Sequence, residues 1–145
     1  MKLEGFSFSA MYEVRAPGLG FDLHNDYDFI GFEFDSERMK FLLSWRRVGE
    51  GWVREGAPAV LEIEVCGFTR VRFKPASDSS ESTGGQTLSF IGHLHPDQWE
   101  EMDGCLDAES APDDYDFIVG LEDGAAIKIR GGWARLRTEE HPPCS

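Results

Sequence analysis

Two histidines and a glutamate form the pattern in this chain that is best spaced for metal chemistry. His93 and His95 are separated by one residue, and Glu100 follows five residues after the second histidine. Alternate residues of a β-strand project from the same face, so both imidazoles could reach one ion. However, Pro96 follows His95 directly and ends the strand, and short motifs of this kind often occur without a metal. We therefore expect that the three side chains do not share an ion, and no cofactor is predicted.

The spacing of His93, His95 and Glu100 resembles the first metal-binding motif of the cupins. The resemblance covers these residues alone: Thr87 stands where the cupin motif has a glycine, and no second motif with a further histidine follows. It implies an alternative function, that of a metal-dependent cupin-like β-barrel enzyme or a small-ligand-binding protein.

A second group of polar residues lies in the segment HNDYD. His24, Asp26 and Asp28 occupy alternate positions and could form a metal cluster or an acid–base pair. Asn and Asp are also favoured in turns and at strand starts, because their side chains bond the local backbone. The related segment DDYD at 113–116 lacks the histidine. We interpret HNDYD as a turn that leads into a strand.

Nucleophilic and phosphate-binding motifs do not occur in the sequence. Cys66, Cys105 and Cys144 are far apart, with no CxxC or Cys/His spacing, which predicts reduced thiols in a cytoplasmic protein. GxSxG, the Walker loop and GxGxxG are all missing. The sequence therefore predicts no catalytic residue, and the enzyme interpretation has no positive support.

The charge balance excludes several classes of partner. Among 145 residues, 27 are acidic and 14 are Lys or Arg, giving a net charge of -13 and a pI near 4.6. Binding to nucleic acid or to an anionic membrane surface requires a basic footprint. No apolar run approaches the roughly 20 residues of a membrane-spanning helix, and no secretory signal is visible.

The acidic residues are concentrated in one region. Residues 75–127 contain 13 acids and no Lys or Arg, while the rest of the chain is neutral. Such a region can steer a basic partner, or it can be a solvated face. We predict a partner-binding surface here, with four acids: Glu100, Glu101, Asp103 and Asp107. Trp99 is its aromatic anchor, the alternative being that Trp99 packs its own short helix on the sheet.

Alternation of apolar and polar residues predicts a single all-β domain over residues 1–145. About eight strands are expected in an antiparallel sandwich or barrel, with one short helix after Pro96. Residues 6–14 read as one strand, and Gly67 marks either a bend in a long strand or a break between two strands. In the strand around residue 32, Ile30, Phe32 and Phe34 are expected on the face opposite Phe29. Residues 75–86 predict a mobile surface loop, and residues 138–145 predict a frayed tail.

Two segments of the chain echo each other. Residues 26–45 and 114–133 share 8 of 20 positions without gaps, including DYDFI, a turn Asp, a Lys and a final Trp. Both are predicted to be hairpins, turning near 35–38 and 122–124. They are either two similar hairpins or the products of a duplication, which would give Tyr27 and Tyr115 equivalent environments.

The order of these patterns resembles that of small all-β immunity proteins from bacterial polymorphic toxin systems and of their uncharacterised relatives. The resemblance lies in FDLHNDYDFIGFEF, MKFLLSW, AVLEIEVCGFTRVRF and DYDFIVGLEDGAAIKI, and covers about residues 21–73 and 114–130. It implies a non-catalytic cytoplasmic binder and supplies no active-site residue; the acidic region favours a basic protein, such as a toxin, as the partner. Together with the acidic region, it leads us to expect a protein-binding protein that acts by toxin neutralisation.

Overall fold

Twelve β-strands and one 3₁₀ turn make up the regular structure of the computed structural model, which describes residues 1–49, 57–77 and 87–138. The strands are β1 (Lys2–Glu4), β2 (Ser7–Ser9), β3 (Glu13–Ala16), β4 (Leu19–Asp22), β5 (Tyr27–Asp35), β6 (Lys40–Arg47), β7 (Val60–Cys66), β8 (Arg70–Lys74), β9 (Leu88–Leu94), β10 (Asp116–Leu121), β11 (Ala126–Arg130) and β12 (Trp133–Thr138). Within the described ranges, no helix is long or apolar enough to cross a membrane.

The strands form three sheets. The first sheet has the order β1-β12-β7-β6-β5, the second has β8-β11-β10-β9, and the third is the small meander β2-β3-β4. Neighbouring strands are antiparallel except for β1 and β12, which run parallel. The sheets pack as a sandwich and do not close into a barrel, so the predicted fold class is confirmed.

One apolar core lies between the sheets. Phe41, Leu43 and Trp45 of β6 enter it from the first sheet, and Phe117 and Ile129 enter it from the second. Each is at most 1% exposed, and burial of such a side chain contributes about 1.5–3 kcal/mol. The alternation in the sequence is therefore the pattern of strands with one face in the core.

The segment 6–14 is two strands, not the single strand that its alternation predicts. The chain reverses at Ala10 and Met11, which adopt φ values of 53° and 65°, and β2 then pairs with β3. Phe8 and Val14 face each other across the hairpin and are both buried. The alternation persists through the turn because neither turn residue is a glycine or proline, so the pattern alone does not reveal the reversal.

Two glycine-containing connections carry the chain between the main sheets. Gly67 separates β7 of the first sheet from β8 of the second, so the break at this residue divides two strands. Gly132 lies between β11 and β12, which cross in the opposite direction. A Cβ at Gly132 would lie 1.9 Å from the carbonyl oxygen of Cys66, so only glycine allows the two connections to pass this closely.

Both predicted hairpins are present. The edge hairpin comprises β5 and β6, and the inner hairpin comprises β10 and β11. The turn aspartates act alike: Asp35 Oδ1 accepts hydrogen bonds from the backbone N–H groups of Glu37 and Arg38, and Asp123 Oδ1 accepts one from Ala125. Beyond the turns, the two hairpins differ in the register with which their strands pair.

The environments of Tyr27 and Tyr115 are not equivalent. Tyr27 is 1% exposed and its hydroxyl donates to the carbonyl oxygen of Pro58, whereas Tyr115 is half-buried against the ring of His95.

The predicted helix after Pro96 is a single 3₁₀ turn, Pro96–Gln98. Residues 78–86 of the predicted loop and residues 139–145 of the predicted tail, including Cys144, lie outside the described ranges.

Candidate functional site

The structure places His93, His95 and Glu100 in three different environments. His93 is 3% exposed and its ring lies 5.2 Å from that of Phe8. His95 lies at the surface, where its Nδ1 accepts a hydrogen bond from the backbone N–H of Asp97. Glu100 forms an ion pair with Arg72 at 2.6 Å. Each residue of the predicted alternative site is therefore engaged in a local contact of its own.

His93 is a buried residue of β9. It pairs with Phe117 of β10 and lines a pocket of about 320 Å³, whose lining also includes the exposed residues Glu109 and Asp113. Loss of hydration, together with the charge of the Met1 amino group, lowers the pKa of His93 to about 4. The imidazole is therefore neutral at physiological pH. Its Nδ1 is buried without a hydrogen-bond partner in the described structure.

The segment HNDYD forms a turn, in agreement with its interpretation from the sequence. Asp22 accepts hydrogen bonds from the backbone N–H groups of His24 and Asn25. His24 Nδ1 lies 2.5 Å from the carbonyl oxygen of Leu88, and Asp28 lies opposite Arg46 in the edge hairpin. Within residues 1–49, 57–77 and 87–138, no three His, Cys, Asp or Glu side chains are grouped to hold a metal ion.

The two described cysteines are poor nucleophiles. Burial, together with the smaller effect of nearby carboxylates, raises the pKa of both Cys66 and Cys105 to about 11. The Cys66 thiol donates to Glu64, which also accepts hydrogen bonds from Arg135 at 3.0 Å and Arg137 at 2.7 Å. Although burial alone would raise the pKa of Glu64, these partners hold it below its usual value. The cluster ties neighbouring strands of the first sheet together.

Several acids of the predicted partner-binding region are paired within the chain. Glu100 contacts Arg72 and Asp103 contacts Lys74, at 2.6 and 2.5 Å. Both bases belong to β8, which precedes the acidic region in the sequence. The two carboxylate side chains nevertheless remain 85% and 86% exposed, so they still contribute to the surface potential. Glu101 and Asp107 are also exposed.

Trp99 lies against the strands of the second sheet. The guanidinium groups of Arg70 and Arg130 each lie 4.5 Å from the centre of its ring, and the Lys128 ammonium lies at 5.6 Å. Cation–π contacts of this kind contribute about 0.5–1 kcal/mol when exposed and more when desolvated. Trp99 therefore anchors its own loop to the sheet, and any partner would contact a ring that is already held by three cations.

Lys128 of β11 holds the loop 96–103 against the second sheet. Its side chain is fully buried, and its ammonium donates to the backbone carbonyl oxygens of Gln98, Trp99 and Glu101. Burial lowers the pKa of Lys128. Beside it, Arg130 forms a two-point ion pair with the buried carboxylate of Asp116, at 2.8 and 2.9 Å. The loop 96–103 thus covers the outer face of the inner hairpin.

The edge hairpin presents a very different surface, because β5 contains a bulge at Ile30. Phe29 pairs with Trp45 and Phe32 pairs with Leu43. The chain therefore advances by three residues along β5 but by only two along β6, which leaves Ile30 as the extra residue. Gly31 adopts a φ of 138°, which side chains rarely allow. The bulge brings Phe29 onto the same face as Phe32 and Phe34. The predicted opposition of Phe29 to those two residues is therefore wrong.

Past the bulge, the inner face of β5 is not covered by the second sheet. Phe32 and Phe34 lie opposite the buried residues Leu43 and Phe41, yet they are 43% and 60% exposed. Phe73 of β8 is 50% exposed and its ring lies 5.2 Å from that of Phe32. Exposed aromatic side chains grouped in this way are typical of interaction sites.

An aromatic cleft opens between the edge strands β5 and β8. It encloses about 300 Å³. Among the described residues, its lining is almost entirely apolar, with Lys74 as the one charged residue beside Phe29, Phe32, Phe73, Pro75, Val119, Leu121, Ala125, Ala126 and Ile127. Lys74 also pairs with Asp103, so the aromatic cleft and the loop 96–103 meet at Lys74.

Sequence reasoning missed the aromatic cleft. The signal was present in the alternation of large apolar residues along 29–34, which exceeds what a strand with one solvated face requires. The alternation predicts a buried face, and only the arrangement of the two sheets shows that this part of the face is uncovered.

Comparison with known proteins returned no relative. No protein-family profile, no curated protein and no solved structure matches this chain.

Proposed function

We propose that this protein is a non-catalytic protein-binding protein that holds its partner at the aromatic cleft. The observation that carries the proposal is that Phe32 and Phe73, 43% and 50% exposed, line this apolar cleft, and that Phe34, 60% exposed, lies two residues beyond Phe32 on the same face of β5. Solvent exposure of grouped aromatic side chains is unfavourable in a protein that acts alone. Large aromatic residues are also the side chains that most often dominate binding energy.

The charge of the chain favours a basic partner. With a net charge of -13, the protein attracts cationic surfaces over a Debye length of about 8 Å at physiological salt. Glu100 and Asp103 are paired with β8 but keep most of their side-chain surface exposed. In this proposal, Trp99, Glu100, Glu101, Asp103 and Asp107 form an acidic rim that accelerates encounter, while the aromatic cleft supplies most of the affinity.

Toxin neutralisation in the cytoplasm is the specific form of this function that we propose. It is supported by the resemblance to all-β immunity proteins and by the acidic charge of the chain. The mechanism would be occlusion: the partner's basic surface is covered, and no bond is made or broken by this protein.

A small apolar ligand is the second candidate. The aromatic cleft encloses about 300 Å³, at the lower end of the usual range for ligand pockets of about 300–1,000 Å³. The part of its lining that the structure describes offers apolar contact and one charged group, that of Lys74. An acyl or aromatic group with one acidic end would match that lining.

Position-specific photo-cross-linking in the cell would test the first candidate. A benzoyl-phenylalanine replaces Phe34 on β5 beside the aromatic cleft, Leu106 three residues after the loop 96–103, or Tyr12 at the β2–β3 turn. Tyr12 is a matched control because it is an aromatic residue with 40% exposure on another part of the surface. We expect one protein adduct at position 34, a weaker one at 106 and none at 12.

The cross-linked partner would then be identified, purified and titrated. Phe32→Ser and Phe73→Ser should weaken its binding at least tenfold, while Tyr12→Ser should not change it. No adduct at position 34, or equal adducts at 34 and 12, would overturn the proposal. Toxin neutralisation further requires that the partner alone arrests growth and that only the protein with an intact aromatic cleft restores it.

A further inference from the structure

The strand that forms one wall of the aromatic cleft, β5, is the last strand of its sheet in the described part of the chain. β5 is the longest strand, with nine residues, and among the described residues it pairs only with β6. An edge strand presents unpaired backbone N–H and C=O groups that can pair with another chain. Addition of a strand at such an edge is a common mode of peptide recognition.

The two faces of β5 differ in chemistry beyond the bulge. Phe32 and Phe34 lie on the inner face, and Glu33 and Asp35 lie on the outer face, opposite Leu42 and Lys40. A strand added beside β5 would place alternate side chains against these two faces. Apolar side chains would extend the wall of the aromatic cleft, and cationic side chains would lie next to Glu33 and Asp35.

The charge of β5 argues against a second copy of this chain as the occupant. Pairing of β5 with β5 would bring Glu33 and Asp35 of one molecule next to the same carboxylates of the other. Like charges on neighbouring strands are destabilising. An alternating apolar and basic segment has the complementary pattern on both faces.

We propose that β5 captures an extended segment of alternating apolar and basic residues by strand addition, with the apolar side chains entering the aromatic cleft. This inference rests on the proposed function, because it specifies how the same cleft recognises a basic protein. It assigns specificity to the backbone edge and to Glu33 in addition to the aromatic side chains.

Synthetic peptides would test the inference without the natural partner. The probe is an acetylated seven-residue peptide of alternating lysine and apolar residues (Lys-Val-Lys-Phe-Lys-Val-Lys), and its control has the same composition in two blocks. We expect the alternating peptide to bind at least tenfold more tightly than the block peptide. It should also slow hydrogen exchange of backbone amides within residues 30–35, and leave those of β10 unchanged.

Backbone methylation separates strand pairing from side-chain contact. Two further peptides carry N-methyl groups either on the internal lysines or on the apolar residues, which removes the donors along one edge of the peptide or the other. Only one edge can face β5, so one isomer should lose at least tenfold in affinity and the other should bind like the parent. Equal affinities of the two isomers would overturn strand addition.

The charge arm uses one variant and one matched control. Glu33→Gln should weaken binding of the alternating peptide about threefold to tenfold at low salt and reduce its salt dependence. Glu37→Gln, at an exposed position in the turn after β5, should leave both unchanged. Equal effects of the two variants would overturn the assignment of Glu33.

Failure of strand addition can be distinguished from failure of the proposed function. An adduct at position 34 and loss of partner binding in Phe32→Ser, without discrimination between the methylated isomers, would overturn strand addition alone. A salt-resistant dimer in sedimentation, broken by Phe34→Ser, would also overturn it, because the edge would then be occupied by a second copy. Absence of the adduct at position 34 would overturn the proposed function.

Discussion

The edge hairpin and the inner hairpin begin with the same five residues, DYDFI, but lie in opposite environments. In the inner hairpin, β10 and β11 are central strands, and nearly every residue of both is buried. In the edge hairpin, β5 is the last strand of its sheet among the described residues, and five of its nine residues are exposed, counting Ile30 and the four at positions 32–35. Sequence identity at the start of a hairpin does not determine how much of it is covered.

The pairing registers also differ. Phe29 pairs with Trp45, whereas its counterpart Phe117 pairs with Ile129, which is the counterpart of Phe41. The edge hairpin turns later in the shared segment and contains a bulge. Residues after the turn that match in sequence, such as Lys40 and Lys128, therefore do not occupy matching places. The ungapped echo is a likeness of strand starts and turn chemistry, with different registers beyond them.

The difference between the hairpins indicates how this chain divides its tasks. The inner hairpin is covered on its outer face by the loop 96–103, held by Lys128 and Arg130. That loop uses Trp99 and two acids to bind the sheet, so they stabilise the fold. The edge hairpin has no equivalent cover among the described residues, and its aromatic face stays exposed.

The largest expected difference between the hairpins is in the cost of removing a phenylalanine. Phe117→Ala should lower the free energy of unfolding by about 3–5 kcal/mol, because Phe117 is fully buried and leaves a cavity. Phe32→Ala should cost about 1 kcal/mol, because Phe32 already contacts solvent over 43% of its surface. Urea unfolding at pH 7 measures both. Similar costs would contradict the view that the aromatic cleft is open.

The two matching lysines should differ almost as strongly. Lys128→Met should cost about 3 kcal/mol, because three backbone carbonyl groups lose a buried charged donor. Lys40→Met should cost less than about 1 kcal/mol, because Lys40 is partly exposed and lies 3.8 Å from Glu64. Limited proteolysis provides a second measurement: only Lys128→Met should expose a cleavage site within 96–103. Cleavage there in Lys40→Met as well would show that the loop is not held by Lys128.

The two hairpins were predictable because their signals are local. Alternation places Phe41, Leu43 and Trp45 on one face, and Asp35 and Asp123 cap their own turns through bonds to the next few residues. The reversal at Ala10 and Met11 and the bulge at Ile30 were not predictable in this way. Each inserts a change of direction or of face without interrupting the apolar pattern.

The candidate site was less accessible to sequence reasoning than the fold. The acids between 97 and 103 look uncompensated along the chain, but Arg72 and Lys74 approach them through sheet pairing between β8 and β11. Whether an aromatic residue such as Phe34 is covered depends on where the opposite sheet ends. Both are long-range properties, which local patterns do not contain.

The pH dependence of stability should show how strongly His93, on the strand next to the inner hairpin, is desolvated. The pKa of His93 is about 4 in the folded protein and about 6.5 in an unfolded chain. The unfolded chain therefore takes up the proton first as the pH falls. Stability from the neutral imidazole is present above pH 6.5 and is lost as the pH falls from 6.5 to 4, by up to about 3 kcal/mol.

Comparison with a variant isolates this contribution from that of the carboxylates. Between pH 7.5 and pH 4, the difference in unfolding free energy between wild type and His93→Gln should change by about 3 kcal/mol in favour of the variant. Urea unfolding at several pH values provides the measurement. A constant difference would mean that His93 is hydrated in the folded protein. The strands beside the inner hairpin would then be less desolvated than the structure shows.

A change at the bulge should affect stability less than Phe117→Ala or Lys128→Met does, but it tests the comparison most directly. Gly31 corresponds in the echo to Val119 of the inner hairpin, so Gly31→Val gives β5 the residue that β10 has. The φ of Gly31 is 138°, and a Cβ there would contact nothing within 4 Å, so the cost comes from backbone strain alone. We expect a loss of about 1–3 kcal/mol in unfolding free energy.

The bulge also determines which side chains face the aromatic cleft. Relief of the strain by removing the bulge would shift β5 by one residue relative to β6 and turn Phe32 and Phe34 to the outer face. Gly31→Val should therefore abolish binding at the aromatic cleft. Gly18→Val is the matched control, because Gly18 has a φ of 74° and open space around it, in the turn between β3 and β4. It should cost a similar free energy and leave binding intact. If Gly31→Val bound the alternating peptide as the wild type does, the bulge would not be what opens the edge hairpin to a partner.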